Sequence, residues 1–354
     1  MHLLVALIAG AFMVILVVTG GIMEFEPELD RSLHPQLSHV VPGTRVRSLG
    51  EIGDAVSSRF GGEPVVAFVP SLLPTLPYQV LLSRGVVYVN QYTGEILGER
   101  MGGQSFLGYV RALHSRLALG SFGGKIPRWS AAAMFLSLTS GLCLWWPTKR
   151  FRIPGKLNGR PFWRDLHNSI GIFSLLPLTM LAATGTVLGF EDQIAPMISK
   201  LSGSSPTQIA RKQPLVPDSV AASITPDEAV RIARSYVPNA EPYRIQMPRY
   251  GGVYQIALVS PRDRITGDRN VVVLNPLDGS LLLLSRSSDL SRGDRILAIN
   301  EAIHTGSILG MPSRIGVFLA SAMGLVQVSS GIIIWLFRKK FIAGAKRTKE
   351  ETTS

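Results

Sequence analysis

The chain is poor in charge and in cysteine. Charged residues fill 17% of its 354 positions, hydrophobic residues fill 46%, and mean hydropathy is +0.25. That balance is too apolar for an ordinary soluble domain, and disorder is excluded by the same figures. A single cysteine, Cys143, rules out a disulfide scaffold, and without a C-x-x-C-H run there is no covalent haem attachment. There is no G-x-G-x-x-G fingerprint for a dinucleotide. Acids are outnumbered, 24 to 36, leaving a net charge of +12. Such an excess first suggests nucleic acid, but its placement excludes that partner. Twelve of the 36 bases fall in two short segments, Lys149–Arg164 and Arg338–Lys349. Each follows an apolar run, which is the positive-inside pattern of a membrane protein.

Four apolar runs are long enough to span a lipid bilayer: residues 1–24, 129–147, 166–190 and 312–337. A cleaved signal peptide is the competing reading; it needs a basic n-region and a small-x-small cleavage site, and neither is convincing in the first run. The basic loop 148–165 and the basic tail 338–354 place both termini in the cytoplasm. Residues 25–104 and 191–300 then form outer domains, periplasmic in a host with two membranes. Segments 105–128 and 301–311 read as short helices at the membrane surface. Ser202–Pro217, rich in Ser, Pro and Gln, reads as a linker.

The chain repeats itself. His2 is followed 17 and 18 residues on by Thr19-Gly20, and His167 by Thr184-Gly185 at the same offsets. His114 precedes Gly141 by 27 residues and Trp145 by 31, and His304 precedes Gly331 and Trp335 likewise. The outer segments correspond as well. In each, a capping box (Ser48 with Glu51, Thr225 with Glu228) opens a helix, and a glycine-containing turn joins two β-rich runs, Val86–Leu97 and Val271–Leu282. The expected fold is therefore a membrane α-helical bundle of four transmembrane helices in two duplicated halves. It carries two extracytoplasmic α+β domains, each of one helix and an antiparallel sheet.

Four of the six histidines lie at matched positions: His2, His114, His167 and His304. The topology pairs His2 with His167 near the cytoplasmic face and His114 with His304 near the outer face. Imidazole suits iron, zinc and copper. A haem iron takes one or two axial ligands, and two histidines on facing helices make a bis-histidine b-type site. Zinc fits less well, because no Cys or carboxylate repeats beside these residues to complete four ligands. Two other readings are polar residues snorkelling at helix ends and a proton-relay pore, which would bring carboxylates into the spans. His34 and His39 have no counterparts and read as loop residues. Cys143 and the methionines of the spans read as packing. Arg111, Arg116 and Arg314 read as interfacial anchors, with attraction of an anionic chelate as the second reading.

At these residues the chain resembles the PepSY-associated transmembrane proteins, which include bacterial ferric-siderophore reductases. The motifs are Thr19-Gly20, Phe25-Glu26-Pro27-Glu28-Leu29-Asp30, Leu113-His114, Ser140–Pro147, Leu166–Gly171 and Ile303–Gly306. The resemblance implies two haem b groups held by His2, His114, His167 and His304, PepSY-type domains outside, and a bacterial inner-membrane location. It implies an oxidoreductase that passes electrons from the cytoplasmic face to a ferric-siderophore or other ferric chelate outside; with no dinucleotide fingerprint in the chain, the donor is expected to be a cytoplasmic reductase or a quinol. Family members usually carry a basic stretch ahead of the first histidine, whereas this chain opens at Met1-His2. The expectation is a start upstream or a trimmed first span. Alternatives are a transmembrane electron carrier for a non-iron acceptor and a non-redox binding or protease-regulating protein.

Overall fold

A computed structural model describes residues 2–101, 105–147, 149, 151–152, 159–204, 223–248, 252–260 and 270–351. Its helices are α1 (His2–Met23), α2 (Glu26–Leu33), α3 (Leu49–Arg59), α4 (Phe106–Arg116), α5 (Gly120–Gly123), α6 (Lys125–Trp145), α7 (Gly159–Gly189), α8 (Glu191–Leu201), α9 (Pro226–Tyr236), α10 (Arg292–His304) and α11 (Met311–Glu351). The chain divides into a helical unit (Met1–Phe25, Tyr109–Ile194 and Asn300–Ser354) and a sheet unit (Glu26–Gly108 and Ala195–Ile299).

In the helical unit α1, α6, α7 and α11 close a ring, each packed on two neighbours in the order α1–α6–α7–α11. The polarity of the bundle is that of a protein dissolved in lipid. Leu4, Ile8, Phe173, Leu176 and Leu319 face outward, while Ser137, Ser174, Thr184, Ser321 and Ser330 are buried. Between helices in a membrane there is little hydrophobic drive, so small residues that let backbones approach take the contact positions. His2–Met23, Gly159–Gly189 and Met311–Arg338 are long and apolar enough to cross a membrane. The chain is thus a multi-pass membrane protein carrying a sheet unit. Helix α6 is less apolar than its three neighbours, because Lys125, Arg128 and several hydroxyl residues dilute it. Thr139 and Ser140 hide part of that polarity by donating to the carbonyls of Phe135 and Leu136, one turn back. The third helix starts at Gly159, ahead of the expected 166, and the last continues to Glu351 through the basic tail. Cys143 was expected to be buried but is exposed on the outer face of α6, because the inward face of that helix is taken by Ser137 and Gly141.

The strands are β1 (Ala67–Val69), β2 (Tyr78–Leu81), β3 (Gly85–Val89), β4 (Ile96–Met101), β5 (Glu241–Gln246), β6 (Tyr254–Val259), β7 (Asn270–Leu274) and β8 (Leu281–Ser285). They form one antiparallel sheet in the order β4-β3-β2-β1-β5-β6-β7-β8. The expectation of two separate domains is corrected here. Each repeat ends in a bare strand edge, and the two edges pair with each other, Ala67 against Gln246 and Phe68 against Ile245. An unpaired edge is a liability that this join removes. The core is shared too, with Ile52, Val56, Phe68 and Val80 of the first repeat clustered with Ala229, Ile245, Ile256 and Leu274 of the second. Both capping boxes form as expected. Asp227 of α9 in addition accepts the Leu49 and Gly50 amides at the start of α3, at 2.9 and 3.0 Å, so one repeat caps the helix of the other.

The two hairpin turns share their backbone geometry at the glycine. Gly94 and Gly279 adopt φ of +79° and +71°, which glycine tolerates without steric cost. Their amides donate to Asn90 and Asn275 carbonyls at 2.8 and 2.9 Å. The expected linker from residue 205 onward and the loop residues 153–158 lie outside the described residues.

Candidate functional site

All four matched histidines belong to the helical unit. His2 opens α1, His167 lies in α7, His114 in α4, and His304 closes α10. Each ring is docked on a hydroxyl–glycine pair of a neighbouring helix. His114 Nδ1 lies 3.0 Å from Thr19 Oγ1, and His304 Nδ1 lies 3.0 Å from Thr184 Oγ1. His2 Nδ1 meets Ser140 Oγ at 3.1 Å and the Ser137 carbonyl at 3.0 Å. His167 Nδ1 meets Ser330 Oγ at 3.0 Å and the Gln327 carbonyl at 3.1 Å. The following residue is glycine each time, because the Cε1–Nδ1 edge of the imidazole lies against it. A Cβ on Gly20, Gly141, Gly185 or Gly331 would lie 3.2, 3.2, 2.9 or 3.3 Å from the ring Cε1.

These contacts fix the tautomer. A carbonyl can only accept, so Nδ1 of His2 and of His167 carries the proton. The hydroxyls of Thr19 and Thr184 already donate to the carbonyls of Ile15 and Met180, at 2.6 and 2.8 Å, so their oxygens accept from Nδ1–H of His114 and His304. With the proton on Nδ1, each neutral ring keeps a lone pair on Nε2. That is how metal-binding histidines are commonly arranged, one nitrogen anchored in the protein and the other offered to the metal. Burial disfavours the charged form of the His114/His304 pair. It holds His114 below its ordinary value, and burial together with the neighbouring His114 pushes His304 down to about 4.

The rings come together in the expected pairs. His114 and His304 have ring centres 6.4 Å apart, with planes inclined at 50°. A metal–imidazole bond is about 2.0–2.1 Å and a ring nitrogen lies about 1 Å from the ring centre, so two rings on opposite sides of one ion have centres about 6 Å apart. His2 and His167 line one cavity of about 340 Å³ inside the bundle, walled by Gly141, Gly171, Gly331 and Leu178. That volume lies within the range of small-molecule and cofactor sites, roughly 300–1,000 Å³. Among the described residues no three His, Cys, Asp or Glu side chains gather around one point. Two imidazoles per site suit a metal whose remaining ligands come from a macrocycle, as in haem. His39 is exposed and His34 half-buried in the sheet unit, and neither joins the four.

Two residues of the helical unit went unnoticed in the sequence. Gln327 sits beside His167, its Nε2 3.1 Å from the ring Nε2. Glu24 follows α1 and is only 8% exposed. Its Oε2 is buried without a hydrogen-bond partner and lies 2.6 Å from where a Cβ on Gly306 would be. Arg314, a candidate chelate-attracting residue, is committed instead to the Glu24 backbone carbonyl, at 2.7 Å from Nε, and stacks over Phe25 at 5.3 Å. An acid ending a 20-residue apolar run was the signal for Glu24, and glutamine inside a membrane helix was the signal for Gln327.

Burial pushes the Glu24 carboxyl up from 4.5 to about 7, with Arg314 opposing. The folded protein therefore holds this proton more tightly than the unfolded chain. Its contribution is fully present below pH 4.5 and is lost as pH rises through 7. The buried histidines act in the opposite sense, so the informative quantity is a difference. Thermal unfolding in detergent, followed from pH 4.5 to 8, is expected to show wild type losing stability relative to Glu24→Gln as pH rises. Parallel curves for the two proteins would remove Glu24 as the source.

Residues 1–338 match the family model described as the PepSY-associated TM region. A search of curated proteins found no match.

Proposed function

The chain belongs to the PepSY-associated transmembrane family, and from that premise we propose that it is an inner-membrane di-haem b electron-transfer protein serving a ferric-chelate acceptor. In this reading α6 is the fourth span, both termini are cytoplasmic, and the sheet unit stands in the periplasm. The basic residues after α6 and in the C-terminal part of α11, among them Lys149, Arg152, Arg164 and Arg338, would hold that orientation. His2 and His167 would hold one haem toward the cytoplasm, and His114 and His304 would hold the second toward the outer face.

The observation that carries the proposal is the set of four imidazoles in two pairs, each with Nδ1–H anchored and its lone pair on Nε2, that of His167 being met by the Gln327 amide. Haem held by two such imidazoles would supply one-electron chemistry. The protein's own part is to keep the ligands ready. Thr19, Ser140, Thr184 and Ser330 hold the tautomer and the ring plane. Gly20, Gly141, Gly185 and Gly331 admit the rings. The Leu- and Val-rich bundle excludes water, which limits the rearrangement that accompanies a change of charge. At the outer face the substrate would be Fe(III) in an oxygen-donor chelate such as a siderophore. One electron gives Fe(II), a softer ion that hard oxygen ligands hold less firmly. The electrons would come from a cytoplasmic reductase or a quinol.

The test is the visible spectrum of the purified protein, oxidised and dithionite-reduced, with haem counted against protein. Sharp α and β bands and about two haems per chain are expected from two bis-histidine sites. A featureless spectrum from protein produced with ample haem would overturn the redox reading and leave the sheet unit as a binding module.

A further inference from the structure

The two repeats are not equivalent at the cytoplasmic pair. Ser137 and Gln327 occupy the same place in their repeats, each 23 residues beyond the matched histidine of its half. Their backbones do the same thing, since the Ser137 carbonyl accepts from His2 Nδ1 at 3.0 Å and the Gln327 carbonyl accepts from His167 Nδ1 at 3.1 Å. Their side chains do not. Ser137 Oγ is buried without a hydrogen-bond partner. The Gln327 side chain reaches the ligating nitrogen of His167, at 3.1 Å. With Nδ1 protonated, Nε2 can only accept, so it is the amide NH₂ that donates.

An imidazole Nε2 has one lone pair in the ring plane. It can accept the Gln327 N–H or bind a metal, and it cannot do both. Among the described residues nothing else holds the amide in place. Its Oε1 is buried without a partner. On its other side stands Gly171, where even a Cβ would lie 2.9 Å from Gln327 Nε2. The absence of a side chain at 171 is what lets the amide reach across.

We infer that Gln327 competes with the iron for His167 and so guards the His2/His167 site, a restraint that among the described residues is seen at His167 alone. The inference rests on the haem reading of this pair. Gln327 is then a positioning residue that sets how readily this site fills. When the metal takes Nε2, the amide gives up its hydrogen bond and swings away. A neutral hydrogen bond is worth about 0.5–1.5 kcal/mol, which lowers affinity about two- to tenfold.

The experiment uses the full chain carrying His114→Ala, so that only the cytoplasmic pair titrates, prepared under haem limitation in detergent micelles. Haemin is added and its Soret band followed, for affinity and for rate, in this parent and with Gln327→Ser or Gln327→Leu added. Gln327→Ser gives the second repeat the residue of the first. Both additions are expected to tighten haemin binding about two- to tenfold, with elution on gel filtration unchanged. Equal or weaker binding in both variants, with haemin still bound by the parent, overturns the inference and leaves the haem reading standing. No binding by the parent or by either variant overturns both.

Discussion

Replacing any one of the four histidines with alanine is expected to lower haem content from two per chain to one. The loss should be close to complete at the affected site and absent at the other. A bis-histidine iron depends on both rings, and the two pairs lie on different helices and different docking points. His114 and His304 face each other at 6.4 Å, while His2 and His167 share a separate cavity. The decisive comparison is between double variants. His114→Ala with His304→Ala should do no more than either alone, because both damage one site. His2→Ala with His304→Ala should leave no haem. This pattern of non-additivity tests the pairing itself, and the measurement is haem per protein with the reduced-minus-oxidised spectrum. Additive loss within a pair, or survival of haem in the crossed variant, would show that the four rings are partnered differently.

The pairing was legible because duplication makes equal spacing visible, and the helical repeat then brings equivalent residues to equivalent places. His114 and His304 could be matched through Gly141 and Gly331 before any coordinates existed. What the spacing did not show is that those glycines are contact surfaces for the other pair of rings. Gly141 receives His2 and Gly331 receives His167, contacts 139 and 164 residues apart in sequence, which no local pattern encodes. The single sheet was missed for a related reason. Each repeat looks complete alone, with a capped helix and a hairpin, and the strand that joins them is short. β1 has three residues, too few to announce an edge that needs a partner. Glu24 and Gln327 were overlooked because they break the repeat, and attention followed what recurred. Each is buried with an unpartnered oxygen, a feature that only packing reveals. The outward turn of Cys143 was likewise decided by its neighbours: Ser137 and Gly141, one turn apart, claim the inner face of α6.

If the two pairs hold haem as proposed, Gly185→Val is expected to empty the His114/His304 site while leaving the His2/His167 site filled. Position 185 has the tightest of the four ring contacts, a Cβ there falling 2.9 Å from His304 Cε1 and 3.7 Å from Ala131 Cβ. The ring cannot simply slide off, because Nδ1 is tied to Thr184 Oγ1 on the preceding residue. Either that bond breaks or α7 and α10 separate, and both move Nε2 away from the iron. Positioning of ligands is sensitive at this scale, so a shift of several tenths of an ångström is enough to lose low-spin coordination. Gly331→Ala is the matched control on the cytoplasmic pair. Its Cβ would sit 3.3 Å from His167 Cε1, a distance a small ring adjustment relieves, so both haems should remain. Thr184→Val separates shape from hydrogen bonding at the outer site. It keeps the bulk of the side chain but removes the acceptor, so the haem should stay bound with a shifted midpoint potential, since the hydrogen bond at Nδ1 tunes the ligand's basicity. Haem count reports the first effect and redox titration the second. A Gly185→Val protein with two haems and an unaltered spectrum would mean that the ring contact at α7 does not hold His304 in its ligating position.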